Sequence, residues 1–267
     1  MLDEIISFLE QEKELYGSFS TETEEEGSQT ESATMPNPSE DETETTLPSS
    51  SESQKTGSTP SVEKKTHQRV ELSLDEQLKA CSTLQELEQF CAESEQLQTD
   101  LDGTNLVFGV GNPGADLMIV GEAPGFNEDQ QGEPFVGAAG QLLNKILIAI
   151  EFDRDDVYIA NILKHRPPDN RNPTAEERER SLPFLERQID LISPKVILCV
   201  GKVSGTTLLG KDDALKRMRG QFYDYRGAKL TVTYHPAALL RNPKWKRPVW
   251  EDVQQVKKLY DKLGGKP

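Results

Sequence analysis

Short, almost wholly apolar runs separated by helical stretches constrain this chain most. Val196–Val200 reads VILCV between Lys195 and Gly201, and Asp116–Val120 and Val157–Asn161 carry similar runs. Such segments are too short for core helices and do not alternate with polar residues, which is the pattern of strands buried on both faces. Leu230–Tyr234 reads as a further strand, and Asn105–Gly109 as another. Between them lie helical patterns. Ser73–Gln98 forms one or two helices with Leu78, Leu84, Leu87 and Phe90 on one stripe, and Ala138–Ile150, Ala175–Ile192 and Trp250–Leu263 follow. Thr174 with Glu177 three residues on is a capping box opening the third of these. Buried strands alternating with helices predict an α/β fold, a mainly parallel sheet covered on both faces. Ligands of such sheets bind beyond the carboxyl ends of the strands. The loops after Val120, Ala160 and Tyr234 are therefore the candidate site.

The N-terminal quarter is different in kind. Of the net charge of −16, −12 falls within the first 65 residues, where 16 acidic residues face 4 lysines. Residues 2–16 carry Leu2, Ile5, Ile6 and Leu9 at helical spacing, a short amphipathic segment that reads as a transient helix, with a docking peptide for a protein partner as the alternative. Residues 17–69 are Ser, Thr, Glu and Pro with too few apolar side chains to offset the entropy of ordering, and are expected to be a disordered acidic linker. Residues 70–267 make the folded domain. No run approaches the ~20 apolar residues of a membrane helix, and the start MLDEIISFLEQEKELYG lacks the basic opening of a secretory signal. Cys81, Cys91 and Cys199 are too few and too scattered for a disulfide framework. A cytoplasmic monomer is expected.

The first loop, GEAPGFNEDQQGEPFVG, brings Gly121 and Gly125 for close backbone approach, Glu122 and Ala123 between them, adjacent carboxylates Glu128 and Asp129 on a loop, and the aromatic Phe135. The second, NILKHRPPDNRNP, opens on Asn161, whose amide donates and accepts at once and so reads a base edge. Its Lys164, Arg166 and Arg171 are candidates for phosphates. The third, HPAALLRNPKWKRP, opens on His235 and then sets Leu240 beside Arg241, Lys244 and Arg247, an apolar wedge with cations that suits nucleic acid.

These segments, GEAPGFNEDQQGEPFVGAAGQLL, NILKHRPPDNRNP and HPAALLRNP, resemble those of family 4 uracil-DNA glycosylases, over a span from about Cys91 to Asp252. The resemblance implies a three-layer α/β/α domain on a central, mainly parallel four-stranded sheet. It implies hydrolysis of the bond between uracil and deoxyribose in DNA. It gives Phe135 the stacking face for a flipped-out uracil. It gives Asn161 the O4 and N3–H edge, and the backbone of Gly121, Glu122 and Ala123 the O2 side. His235 is to donate a hydrogen bond to the departing base, and Glu128 to orient water or stabilise the cationic sugar.

The same resemblance implies a 4Fe–4S cluster on four cysteines, and here the chain departs from it. The positions fall at Cys91, Ser94, His165 and Ser181. Cubane clusters are held by thiolates, so no cofactor is expected, and one Cys with one His makes a poor zinc site. The alternative to an enzyme is a non-catalytic module that binds uracil or damaged DNA; a glycosylase of altered base range, hypoxanthine for example, is another. A nucleotide-binding α/β protein is disfavoured, since no GxxxxGK(S/T) phosphate loop occurs and the GxGxxG-spaced Gly109, Gly111 and Gly114 lead into a predicted strand, not a helix.

Overall fold

The computed structural model describes residues 72–266. The amphipathic segment and linker expected over 1–69 lie outside the described residues.

The sheet has six strands in the order β1-β3-β2-β4-β6-β5. Its middle is β3 (Tyr158–Asn161), β2 (Leu117–Gly121), β4 (Val196–Val200) and β6 (Ala228–Thr233). These four pair in parallel and are the expected four-stranded core. Two short antiparallel strands, β1 (Val110–Gly111) and β5 (Tyr223–Tyr225), flank it. Every residue of β2, β3 and β4 is buried, as apolar strands between two helix layers must be.

The helices are α1 (Leu74–Ala80), α2 (Leu84–Glu93), α3 (Phe126–Gln131), α4 (Ala138–Ala149), α5 (Ala175–Ile192), α6 (Lys202–Leu209), α7 (Leu215–Met218), α8 (Pro236–Arg241) and α9 (Lys246–Lys262). The capping box at Thr174 forms: Glu177 N–H reaches Thr174 Oγ1 at 3.1 Å and Thr174 N–H reaches the Glu177 carboxylate at 2.7 Å. One core cluster lies along the sheet and includes Met118, Val120, Ile162, Ile189 and Cys199. A second, built on Leu78, Leu87, Cys91, Phe108 and Phe184, lies under α1 and α2.

Two expectations need correction. Asn105–Gly109 is not a strand; Val107 N–H bonds Lys164 O, side chains take the Asn105 N–H and Phe108 O, and pairing begins only at Val110. Glu128 and Asp129 are not on a loop but in α3. Gly125 caps that helix and Glu128, at its third position, accepts the Gly125 N–H at 3.2 Å. A glycine cap followed by a glutamate three residues on is weaker as a sequence signal than Thr or Ser.

Candidate active site

β2 and β3 run in register so that Gly121 and Asn161 are partners at the carboxyl ends of adjacent strands. They meet closely. A Cβ at Gly121 would lie 2.2 Å from Asn161 Oδ1 and 2.6 Å from Phe135 Cζ. Only glycine admits the amide and the aromatic ring to this spot. Asn161 is buried, and its Oδ1 has no hydrogen-bond partner among the described residues. A buried acceptor left open costs about 1–3 kcal/mol, which makes it a candidate ligand contact.

Phe135 is held in a left-handed backbone, φ 55°, unusual for an aromatic residue. The cost is about 1–3 kcal/mol, and its surroundings impose it. The Glu128 carboxylate accepts the N–H groups of Val136 and Gly137, each at 3.0 Å. The Arg154 guanidinium donates to Pro134 O at 2.6 Å and Phe135 O at 3.3 Å. Gly140 gives the carbonyl room, since a Cβ there would stand 1.7 Å from Phe135 O. With its bond to Gly125, Glu128 therefore ties three backbone amides across the first loop.

His235 follows β6 and caps α8. Its Nδ1 accepts the Ala237 N–H at 3.1 Å, so the ring proton sits on Nε2. Burial first, and then the Arg241 cation, push the imidazole down to about 4. At neutral pH it is an uncharged donor through Nε2. Its ring stacks on Phe135, centroids 5.5 Å apart. Gly201, with φ 113°, lies beneath it. Glu122 is half-buried, and burial raises its carboxyl while Arg178 opposes the shift. Ala123 packs against the sheet core.

The third loop presents Leu240, 49% exposed, with exposed Arg241, Lys244 and Arg247. The cations of the second loop are used otherwise. Lys164 is fully buried, donating to Phe108 O and Asn161 O at 3.1 Å and to Gln188 Oε1, and burial pulls its ammonium down to about 7. That corrects its assignment to a phosphate. Arg171, given to a phosphate on sequence, has its guanidinium on Glu177 at 2.8 and 2.9 Å and on Asp100 at 2.8 Å.

The four cluster positions form no thiolate cage. Burial pushes the Cys91 thiol up to about 12. Ser181 Oγ donates to Ile162 O at 2.6 Å, His165 Nδ1 bonds Thr104 Oγ1 at 3.0 Å, and Ser94 N–H caps Cys91 O at 3.2 Å. Among the described residues no three His, Cys, Asp or Glu gather as metal ligands. One buried, protonated thiol with two hydroxyls and an imidazole does not fit a 4Fe–4S cluster.

The family profile of the Uracil DNA glycosylase superfamily matches residues 108–254. The chain belongs to that superfamily. Its curated relatives place it on the type-4 branch. A "Type-4 uracil-DNA glycosylase" of Archaeoglobus fulgidus is 42% identical over 167 residues, 60% of this chain and 84% of the relative. The protein of the same description from Thermotoga maritima is 42% identical over 168 residues, 61% and 88%. That from Sulfurisphaera tokodaii is 43% identical over 165 residues, 58% and 75%. The matched region contains all three loops. Sequence reasoning singled out Phe135, Asn161 and His235, but missed Arg154, Gly140 and Gly201. Gly201 stood in plain view beside a predicted strand and Gly140 inside a predicted helix, whereas nothing local marks Arg154.

Proposed function

We propose that this protein excises uracil from DNA, hydrolysing the bond between uracil N1 and deoxyribose C1′ and leaving an abasic site for repair. The observation that carries the reading is the meeting of Asn161, Phe135 and Gly121 at the ends of β2 and β3, with a buried amide oxygen left open there. Uracil offers a donor at N3 and an acceptor at O4, matching Oδ1 and Nδ2 of one amide. Cytosine offers the reverse at both atoms, and a site built on such polar pairs rejects the mismatch strongly. The base leaves the stack to reach the pocket and lies against Phe135.

As the C1′–N1 bond breaks, its electron pair goes to the uracil ring and C1′ becomes cationic. Nε2–H of neutral His235 bonds the O2 that gains charge, and the backbone of Gly121, Glu122 and Ala123 faces the same side. A neutral donor does not protonate the base; it stabilises the anion that departs. Glu128 keeps the Phe135 loop in place through three amides, and its negative charge, close enough to oppose the fall in the His235 pKa, favours the cationic sugar. Water then adds to C1′ and loses a proton, which neutralises the uracil anion. Leu240 fills the space left in the duplex, with Arg241, Lys244 and Arg247 on phosphates. Arg171 is a brace for the second loop. The enzyme works without an iron–sulfur cluster, its place taken by packing and the bonds of Ser181 and His165.

The test is a labelled oligonucleotide with one uracil, treated with hot alkali after incubation. Wild type gives cleavage, and Asn161→Ala and His235→Ala lose it by about 100-fold or more. Tight binding of the uracil strand without cleavage would replace the enzyme with a binding module.

A further inference from the structure

The turn that carries His235 is fixed by a group of side chains away from the uracil slot. β6 ends at Thr233 and α8 starts at Pro236, so only Tyr234 and His235 span the join. The ring of Tyr234 lies between two partners. Trp245 stacks on it with centroids 4.7 Å apart and planes 7° apart. The Arg219 guanidinium lies 4.7 Å from its centroid. A planar cation and a coplanar indole hold an aromatic ring in place and orientation.

Arg219 is itself locked. Its Nε donates to Asp252 Oδ2 at 2.7 Å and its NH2 group to Pro248 O at 2.7 Å, both on α9. Its backbone bridges to Val232 of β6. The same Asp252 oxygen accepts the Thr233 hydroxyl at 2.5 Å. The pair is enclosed, with side-chain exposures of 15% and 3%. Thr233 and Tyr234, the two residues before His235, are therefore tied to α9, the first through its hydroxyl and the second through the Arg219 guanidinium over its ring. None of these groups lies in the chemistry described above, yet all converge on the two residues whose backbone angles aim the imidazole.

We propose that Arg219, Tyr234 and Trp245 are positioning residues for the glycosylase reaction, a stack that aims His235 at the departing base. The inference rests on the functional reading given above. A misdirected hydrogen-bond donor costs the bond-breaking step and leaves binding of the DNA unaffected.

The experiment measures two quantities on the full chain: single-turnover uracil release, and affinity for a duplex whose 2′-fluoro-deoxyuridine resists hydrolysis. The variants are Arg219→Lys, Tyr234→Leu, Tyr234→Phe and Trp245→Leu, each checked for folding by its melting transition. Arg219→Lys keeps the charge beside Asp252 and loses the planar face; Trp245→Leu alters a half-buried residue and spares the core. Arg219→Lys, Tyr234→Leu and Trp245→Leu slow release by about tenfold or more with affinity within about twofold of wild type, while Tyr234→Phe, which keeps the ring, releases uracil at the wild-type rate. In a His235→Ala background the same changes add nothing, because the group they aim is gone. Three results overturn the proposal: wild-type release by the folded stack variants, weaker binding with an unchanged release rate (which makes Trp245 a DNA contact), or slowing that persists undiminished in the His235→Ala background. In each the glycosylase reading stands if wild type cuts. Wild type that releases no uracil in the same gel overturns both.

Discussion

The Nδ1 of His235 accepts the backbone N–H of Ala237 at 3.1 Å, and this one bond sets the tautomer of the candidate hydrogen-bond donor. An imidazole whose Nδ1 is occupied as an acceptor holds its proton on Nε2. Charging the ring would put a second proton where the Ala237 N–H already points.

Burial and Arg241 hold this imidazole at about 4. Uracil release is therefore expected to stay level from neutral pH down to about pH 5 and to fall as the pH approaches 4. The sign for stability follows the same shift. Between the ordinary histidine value and the lowered one the unfolded chain binds the extra proton, so this residue makes stability decline as pH falls through that window. Single-turnover rates between pH 4 and 8, with melting points on the same samples, check both. An activity midpoint near the ordinary histidine value contradicts the neutral-donor assignment.

Glu128 ties the first loop together, and its substitution tests loop and charge apart. Glu128→Ala removes an acceptor shared by three amides and is expected to cost about 2–4 kcal/mol of stability and about 100-fold or more in release. Glu128→Gln retains an amide oxygen for Val136 and Gly137 but turns an NH2 group toward the Gly125 N–H, so it costs about 1–2 kcal/mol. Denaturant unfolding beside single-turnover kinetics separates the two. A Gln variant of wild-type rate would leave Glu128 with the loop alone and remove its charge from the chemistry.

The fold was largely legible in the sequence, and the reason is burial. Strands β2, β3 and β4 are enclosed on both faces, so their residues are apolar in unbroken runs, and α5 begins and ends where its capping box and periodicity place it. The edge strands β1 and β5 are two and three residues long, too short to leave a pattern. The site was legible as residue identities at strand ends. Its supports were not. Arg154 acts on a loop 20 residues away, and Asp252 reaches back 33 residues to Arg219. Lys164 misled because a lysine two residues from Arg166 reads as a surface cation; only the fold shows three acceptors waiting for it.

On the proposed function, the third loop carries the electrostatic share of binding. Lys244→Ala and Arg247→Ala are expected to weaken affinity for any DNA of the same length, uracil or not, and to lower the slope of log affinity against log salt by about one per phosphate contact removed. Arg171→Ala is expected to leave that slope unchanged and to reduce stability, because its guanidinium is committed to Glu177 and Asp100. Salt titrations by fluorescence anisotropy distinguish them; a reduced slope for Arg171→Ala would return it to the DNA surface.

The donor set at Cys91, Ser94, His165 and Ser181 makes a metal prediction. Protein purified without air is expected to carry no stoichiometric iron or zinc and no broad visible absorbance, and a chelator is expected to leave its melting point unchanged. Cys91→Ala loses about 1–2 kcal/mol as a packing defect with no change in metal content. Iron that co-purifies with the chain and leaves on Cys91→Ala would contradict this.

The claim at the centre of the account is that Gly121 makes room for the Asn161 amide and the Phe135 ring in one uracil slot. Gly121→Ala tests it most directly, because its Cβ would stand 2.2 Å from Asn161 Oδ1 and 2.6 Å from Phe135 Cζ. The expected outcome is a folded protein that binds DNA and releases uracil at least about 100-fold more slowly than wild type. A folded Gly121→Ala protein that releases uracil at the wild-type rate would show that the ring and the amide do not form the slot.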